Sequence, residues 1–138
     1  MKTYEFKHNI PTLQEYTYLC DSVGWSNYMN FEVAETSLKH SIHCITVKDN
    51  DQIIGMGRIV GDGSIYFYIQ DIVVHPDYQK HGIGKEIMYR LVAYLNENAP
   101  DKAFVGLFAS QGKESFYEKF DFKDYSPNMT GMFTVISK

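Results

Sequence analysis

The seven residues Gln79-Lys80-His81-Gly82-Ile83-Gly84-Lys85 combine a glutamine, two glycines and three basic side chains at the start of an amphipathic run. A glycine inside a helix costs roughly 1 kcal/mol against alanine, so two of them at a helix start need a compensating role. The first amides of a helix have no internal partner and sit at the positive end of its dipole. Bare backbone there lets a bulky anion approach closely, and Lys80, His81 and Lys85 add positive charge. The pattern reads as a phosphate cradle, with a purely structural turn as the alternative.

Other residue types point to less. The segment "GMGRIVG" matches a loose dinucleotide fingerprint, but that motif should open a helix. Here Arg58-Ile59-Val60 run on as a strand into a "GDGS" turn, so the Rossmann reading fails. The histidines at 8, 40, 43, 75 and 81 form no ligand cluster, and no metal is expected. Cys20 and Cys44 lack CxxC spacing and read as two reduced, buried thiols. Arg58 either pairs with Asp62 or lines a pocket.

Several elements must position the glycine loop. "YEFKHNI" alternates as a first strand, and Pro11 opens a helix that Gly24 stops. Asn30 caps a second helix, Phe31 to His40. "IHCITVK", "QIIGMGRIV" and "IYFYIQDIVV" form an antiparallel meander that ends at His75, because Pro76 cannot join a ladder. Ile83, Ile87, Met88, Leu91, Val92 and Leu95 share one face of the main helix. "AFVGLFAS" reads as a buried central strand, "KESFYEKF" as a short helix and "GMFTVIS" as a closing strand.

A chain of 138 residues is expected to form a single domain, residues 1–138. The net charge of −4, with no basic stripe, argues against nucleic acid and mildly favours cationic acceptors. No apolar run approaches 18 residues, so no membrane partner is expected. The N-terminus "MKTYEFKHNIPTL" lacks a signal-type stretch, which points to a cytoplasmic protein.

"DIVVHPDYQKHGIGKEIMYRLVAYL" resembles the acetyl-coenzyme A signature of the GNAT N-acetyltransferases, [Q/R]-x-x-G-x-[G/A] at the start of the main helix. "FYEKFDF" resembles the same family's "fYxxxGF" box, with Asp121 at the family glycine and Ser110 at its usual asparagine. The resemblance implies a single-domain α/β fold in the order β-α-α-β-β-β-α-β-α-β. Its centre would be a mixed, mostly antiparallel twisted sheet flanked by helices. It implies acetyl-coenzyme A as co-substrate and no metal. The diphosphate would lie on residues Gln79, Lys80, His81, Gly82, Ile83 and Gly84, with Lys85 beside them. The pantetheine arm would run along Ile72, Val73 and Val74, near Ser110 and Tyr117. Members of that family often pair through C-terminal strands, which implies a homodimer through "GMFTVISK".

By the same resemblance, Tyr117 is the general acid that protonates the departing thiolate, the alternative being a merely packed ring. Gln70 stands where some relatives carry a glutamate, and an amide cannot be a base. Asp71 is the nearest acid: it can act directly as the base, bind the substrate ammonium, act through water or anchor a loop. His75 and Glu32 are further base candidates. Trp25, Tyr28, Met29 and Phe31 lie where the early helices wall the acceptor site, and suit an amine with an apolar body, or else fill the core. The expected reaction is acetyl transfer to a primary amine of a small molecule. A protein lysine or N-terminal acceptor, or a non-catalytic acyl-coenzyme A sensor, are the competing readings.

Overall fold

The computed structural model describes residues 3–138, which divide into two compact units, one ending at Gly106 and the other Leu107–Lys138. The first unit is built on a five-stranded sheet in the order β1-β2-β3-β4-β5. Its strands are β1 (Glu5–Lys7), β2 (His43–Asp49), β3 (Gln52–Gly61), β4 (Tyr66–Val74) and β5 (Phe104–Gly106). The first four pair antiparallel, and β5 joins β4 in parallel, so the sheet is mixed and mostly antiparallel as expected.

Three helices cover it: α1 (Leu13–Ser22), α2 (Ala34–Lys39) and α3 (Ile83–Asn98). A capping box starts α1, in which Glu15 N donates to Thr12 Oγ1 at 3.1 Å and Thr12 N to Glu15 Oε1 at 2.9 Å. That box moves the start two residues past Pro11 and is worth about 1 kcal/mol. The second helix also begins later than Phe31. Asn30 Oδ1 accepts from Glu32 N at 3.1 Å, which caps a turn over residues 31–33 and delays the helix to Ala34.

The helices take opposite faces because side chains alternate along a strand. Met56 and Val73 pack with Tyr16, Leu19, Cys20 and Leu38 on the α1–α2 side. On the other face, α3 buries Ile83, Ile87, Met88, Leu91 and Leu95 while Val92 stays half-buried. The "GMG" glycines of β3 exist for that packing. A Cβ at Gly57 would lie 2.6 Å from both Ile72 Cδ1 and Ile87 Cγ2, so a side chain there would push α3 off the sheet.

Two strand expectations need correction. "AFVGLFAS" is not a central strand: only Phe104–Gly106 pair, at the sheet edge, and Phe104 is 46% exposed. Its ring packs against Tyr66 and Tyr68 rather than into a two-sided core. In the second unit, "GMFTVIS" forms no strand, since no described segment pairs with it. Met132, Phe133, Val135 and Ile136 are exposed there. The helix of that unit, α4 (Glu114–Glu118), carries Phe116 and Tyr117 edge-to-face at 5.0 Å.

Candidate active site

The glycine loop forms where β4 hands over to α3. Pro76–Tyr78 make one 3-10 turn, after which Lys80 and Gly82 both adopt left-handed backbone, at φ +67° and +81°. Gly82 is the N-cap of α3 and offers no capping side chain. The first intrahelical bond is Glu86 N to Gly82 O at 3.1 Å, so the amides of Ile83, Gly84 and Lys85 precede the helix ladder. A Cβ at Gly82 would meet nothing within 4 Å, so the space above this backbone is open. Alternating left-handed residues ahead of a helix turn successive amides into a concave anion nest.

The expected cradle is refined at its ends. The Gln79 amide is already used by Pro76 O at 3.4 Å, and Gln79 Nε2 donates to Val74 O at 3.0 Å. Gln79 therefore ties the loop to the 3-10 turn through its main-chain amide and to β4 through its side chain. Lys80 and Lys85 are exposed, and the Nδ1 of exposed His81 lies 3.4 Å from Tyr4 Oη. Beyond Tyr68, no described strand pairs with the outer edge of β4, which leaves the Ile72–Val74 stretch open on that side.

A second feature sits on the α1–α2 side of the sheet. Between Met56 and Arg58 of β3 the pairing slips, because β4 supplies two residues, Asp71 and Ile72, against the single Gly57. Asp71 stands at φ +56°, a bulge that breaks the inside-outside alternation. Gln70 and Asp71 consequently line one cavity, where a regular strand would have sent them to opposite faces.

The cavity measures about 550 Å³ and is walled by Tyr16, Met29, Arg58 and Val60, with Ser37 and His40 from the α2 region. Arg58 is 8% exposed and its Nε donates to Asp71 Oδ2 at 2.7 Å. Its Nη1 reaches Ser37 O at 3.1 Å and Ser41 Oγ at 3.0 Å, and its Nη2 reaches Ser37 Oγ at 3.2 Å. Arg58 thus pairs with Asp71, not Asp62, and also lines the cavity. Tyr16 Oη donates to the same Asp71 oxygen at 3.0 Å, while Oδ1 takes neither bond.

These contacts set the proton affinities. Burial, with the Asp71 charge second, holds the Tyr16 phenol far above the ordinary tyrosine range. Burial pulls the Arg58 guanidinium down, but the hydrogen bond and charge of Asp71 outweigh it and leave Arg58 above its usual value. Cys20 and Cys44 are free and buried, as expected. Burial pushes the Cys20 thiol up to about 11 and Cys44 up as well, so neither is a ready thiolate.

The remaining predicted residues fall elsewhere. Of Trp25, Tyr28, Met29 and Phe31, only Met29 lines the cavity. Trp25 and Phe31 pack on the core, Phe31 edge-on to Tyr16 at 6.3 Å, and Tyr28 is 83% exposed. Glu32 is exposed on a turn, and His75 stacks on Tyr18 at 5.5 Å. In the second unit, Tyr117 is half-buried and burial raises its phenol above the ordinary value of 10.0. Ser110 is exposed there, its carbonyl accepting from Lys113 N at 2.9 Å. Asp121 adopts φ +71°, so it keeps the left-handed turn that a glycine makes easily.

The acetyltransferase (GNAT) domain matches residues 13–132. The chain belongs to the GNAT acetyltransferase family. Its GNAT relatives include the uncharacterized N-acetyltransferase ycf52 of Porphyra purpurea, 34% identical over 88% of this chain and 70% of that protein. Histone acetyltransferase TAP1 of Glycine max is 32% identical over 83% of this chain and 53% of its own. The crystal structure of SA2161 from meticillin-resistant Staphylococcus aureus, a protein of unknown function described as an acetyltransferase, superposes with a TM-score of 0.90. It is 32% identical, over 97% of this chain and 100% of that one. No helix among the described residues of this GNAT chain is long and apolar enough to cross a membrane.

Proposed function

We propose that this chain transfers an acetyl group from acetyl-coenzyme A to a primary amine of a small molecule. The observation that carries the reading is the open, left-handed loop from Lys80 to Gly82 delivering uncommitted amides at the start of α3. Those amides, with Lys80 and Lys85, suit the diphosphate of the co-substrate, which supplies the acetyl group as a thioester. An amide in Ile72–Val74 donates to the thioester oxygen as charge builds on it. Tyr117, like any tyrosine, holds its proton at neutral pH, burial raises its phenol further, and it gives that proton to the departing sulfur.

The acceptor amine binds in the cavity beside Asp71 Oδ1, the oxygen that Arg58 and Tyr16 leave alone. Asp71 is then a group that orients the amine, since its other oxygen is committed to a buried ion pair, and the proton the amine sheds on attack passes to solvent water in the cavity. Gln70 supplies a neutral hydrogen-bonding neighbour. Thiol release from acetyl-coenzyme A with a panel of small amines tests the proposal on wild type and Tyr117→Phe. Amine-stimulated turnover that collapses in the variant supports it; turnover no faster than slow hydrolysis with every amine overturns it. A protein lysine acceptor is the second reading, favoured by the likeness to TAP1, and saturable turnover with a lysine peptide but no small amine selects it.

A further inference from the structure

The turn just ahead of the anion-accepting amides is anchored to three separate elements. Tyr78 Oη donates to Asp49 Oδ2 at 2.8 Å, and Asp49 is 9% exposed at the end of β2. The Tyr78 ring meets Tyr4 edge-on at 5.8 Å and His75 edge-on at 6.2 Å. His75 in turn stacks on Tyr18 of α1, and its Nδ1 accepts from Asp77 N at 3.1 Å. Main-chain bonds from His75 N to Ile54 O and from Tyr78 N to His75 O, both 2.8 Å, add to the anchorage.

Two residues further on the chain changes character. Lys80 and Gly82 are exposed and left-handed, and nothing packs where a Gly82 side chain would be. A left-handed non-glycine residue costs about 1–2 kcal/mol and persists only where its surroundings over-determine it. The hydroxyl–carboxylate bond of Tyr78 is a strong polar restraint close to Lys80, since a charged acceptor roughly doubles a hydrogen bond.

We propose that Tyr78 is a positioning residue whose hydrogen bond to Asp49 holds residues 79–85 in their anion-accepting shape before the co-substrate arrives. It touches no reacting atom and acts through the loop backbone. Without the bond the amides must be ordered during binding, and that entropy is subtracted from co-substrate affinity. The inference rests on the loop's reading as a diphosphate site.

Calorimetry with coenzyme A on wild type, Tyr78→Phe, Asp49→Ala and Asp49→Asn tests it, alongside steady-state kinetics. Tyr78→Phe and Asp49→Ala should each weaken binding about fivefold, the equivalent of one net hydrogen bond. The double variant should be no weaker than either single one. Asp49→Asn keeps an acceptor oxygen and should restore affinity to within about twofold of wild type. At saturating acetyl-coenzyme A, kcat and the amine KM should hold while the co-substrate KM rises. A Tyr78→Phe protein that melts earlier but binds coenzyme A as tightly as wild type overturns the proposal, as do additive losses in the double variant. Wild type that ignores coenzyme A at millimolar concentration removes the diphosphate reading itself, whereas normal wild-type binding with unaffected variants removes only the positioning role.

Discussion

The glycine loop and the α1–α2 cavity lie in the same sheet-based unit but are made of different material. The loop is exposed and built from backbone: amides, two left-handed residues and a helix end without a capping side chain. The cavity is built from side chains brought together from α1, β3, β4 and the α2 region around a buried Arg58–Asp71 pair. A backbone site depends on local sequence, and in the proposed reaction it takes the group common to every turnover, the diphosphate. A side-chain site depends on packing between distant segments, and in the proposed reaction it takes the acceptor. The two should therefore fail in different ways when mutated.

The largest effect is expected at the loop. Gly82→Glu places a side chain and a negative charge where the proposed diphosphate site lies, and should abolish thermal stabilisation by coenzyme A while lowering the apo melting temperature only by the left-handed backbone cost that any side chain carries there. In the cavity the damage should fall on folding. Asp71→Ala leaves Arg58 buried without its counter-charge, which costs about 3–5 kcal/mol and should appear as a lowered urea midpoint. An intact midpoint would mean that the pair is far more hydrated than its burial indicates.

Tyr117→Phe should lower kcat by about 100-fold with little change in coenzyme A affinity, the scale of one general acid. The raised phenol also fixes the sign of the pH dependence. Tyr117 holds its proton through the ordinary tyrosine value of 10.0 and releases it only above that. The alkaline fall in kcat should therefore lie above pH 10 in wild type and vanish in the variant. Gly82→Ala sharpens the comparison, because nothing would touch the added methyl and only the left-handed backbone resists it. A loss of about 1 kcal/mol in stability is expected, with far better co-substrate binding than Gly82→Glu.

The smallest effect lies away from both sites. His43 bonds His8 at 2.8 Å and stacks on Tyr94, and burial followed by the neighbouring His8 lowers its pKa below 6.5. A folded value below the unfolded one means full stability above pH 6.5 and a loss as pH falls through the folded value. His43→Gln should flatten that acid-side slope in thermal melts and leave both kinetic constants for the loop and cavity unchanged.

Much of this was legible in the chain because it is local. The two glycines, the helical stripe from Ile83 to Leu95 and the Pro76 strand stop depend on neighbours within a few residues, and the structure places them as read. The Asp121 substitution was legible as a departure from the family box, and its left-handed backbone shows how the turn survives. The acceptor side was not. Tyr16 stands at helical spacing between Leu13 and Leu19, and nothing in that spacing announces a hydroxyl aimed at Asp71. One signal was available: an aspartate within the strand "IYFYIQDIVV" is unfavourable in a regular ladder and marks the bulge.

The sequence by itself determined the shape of the glycine loop, since glycines, a following amphipathic helix and a proline stop act through local backbone geometry. Only the tertiary structure decided what the cavity contains. Whether Arg58 meets Asp62 or Asp71 depends on how β3 and β4 register across a bulge. Register is a long-range property, fixed by the packing of α1 and α3 on the two sheet faces rather than by any residue's nearest neighbours.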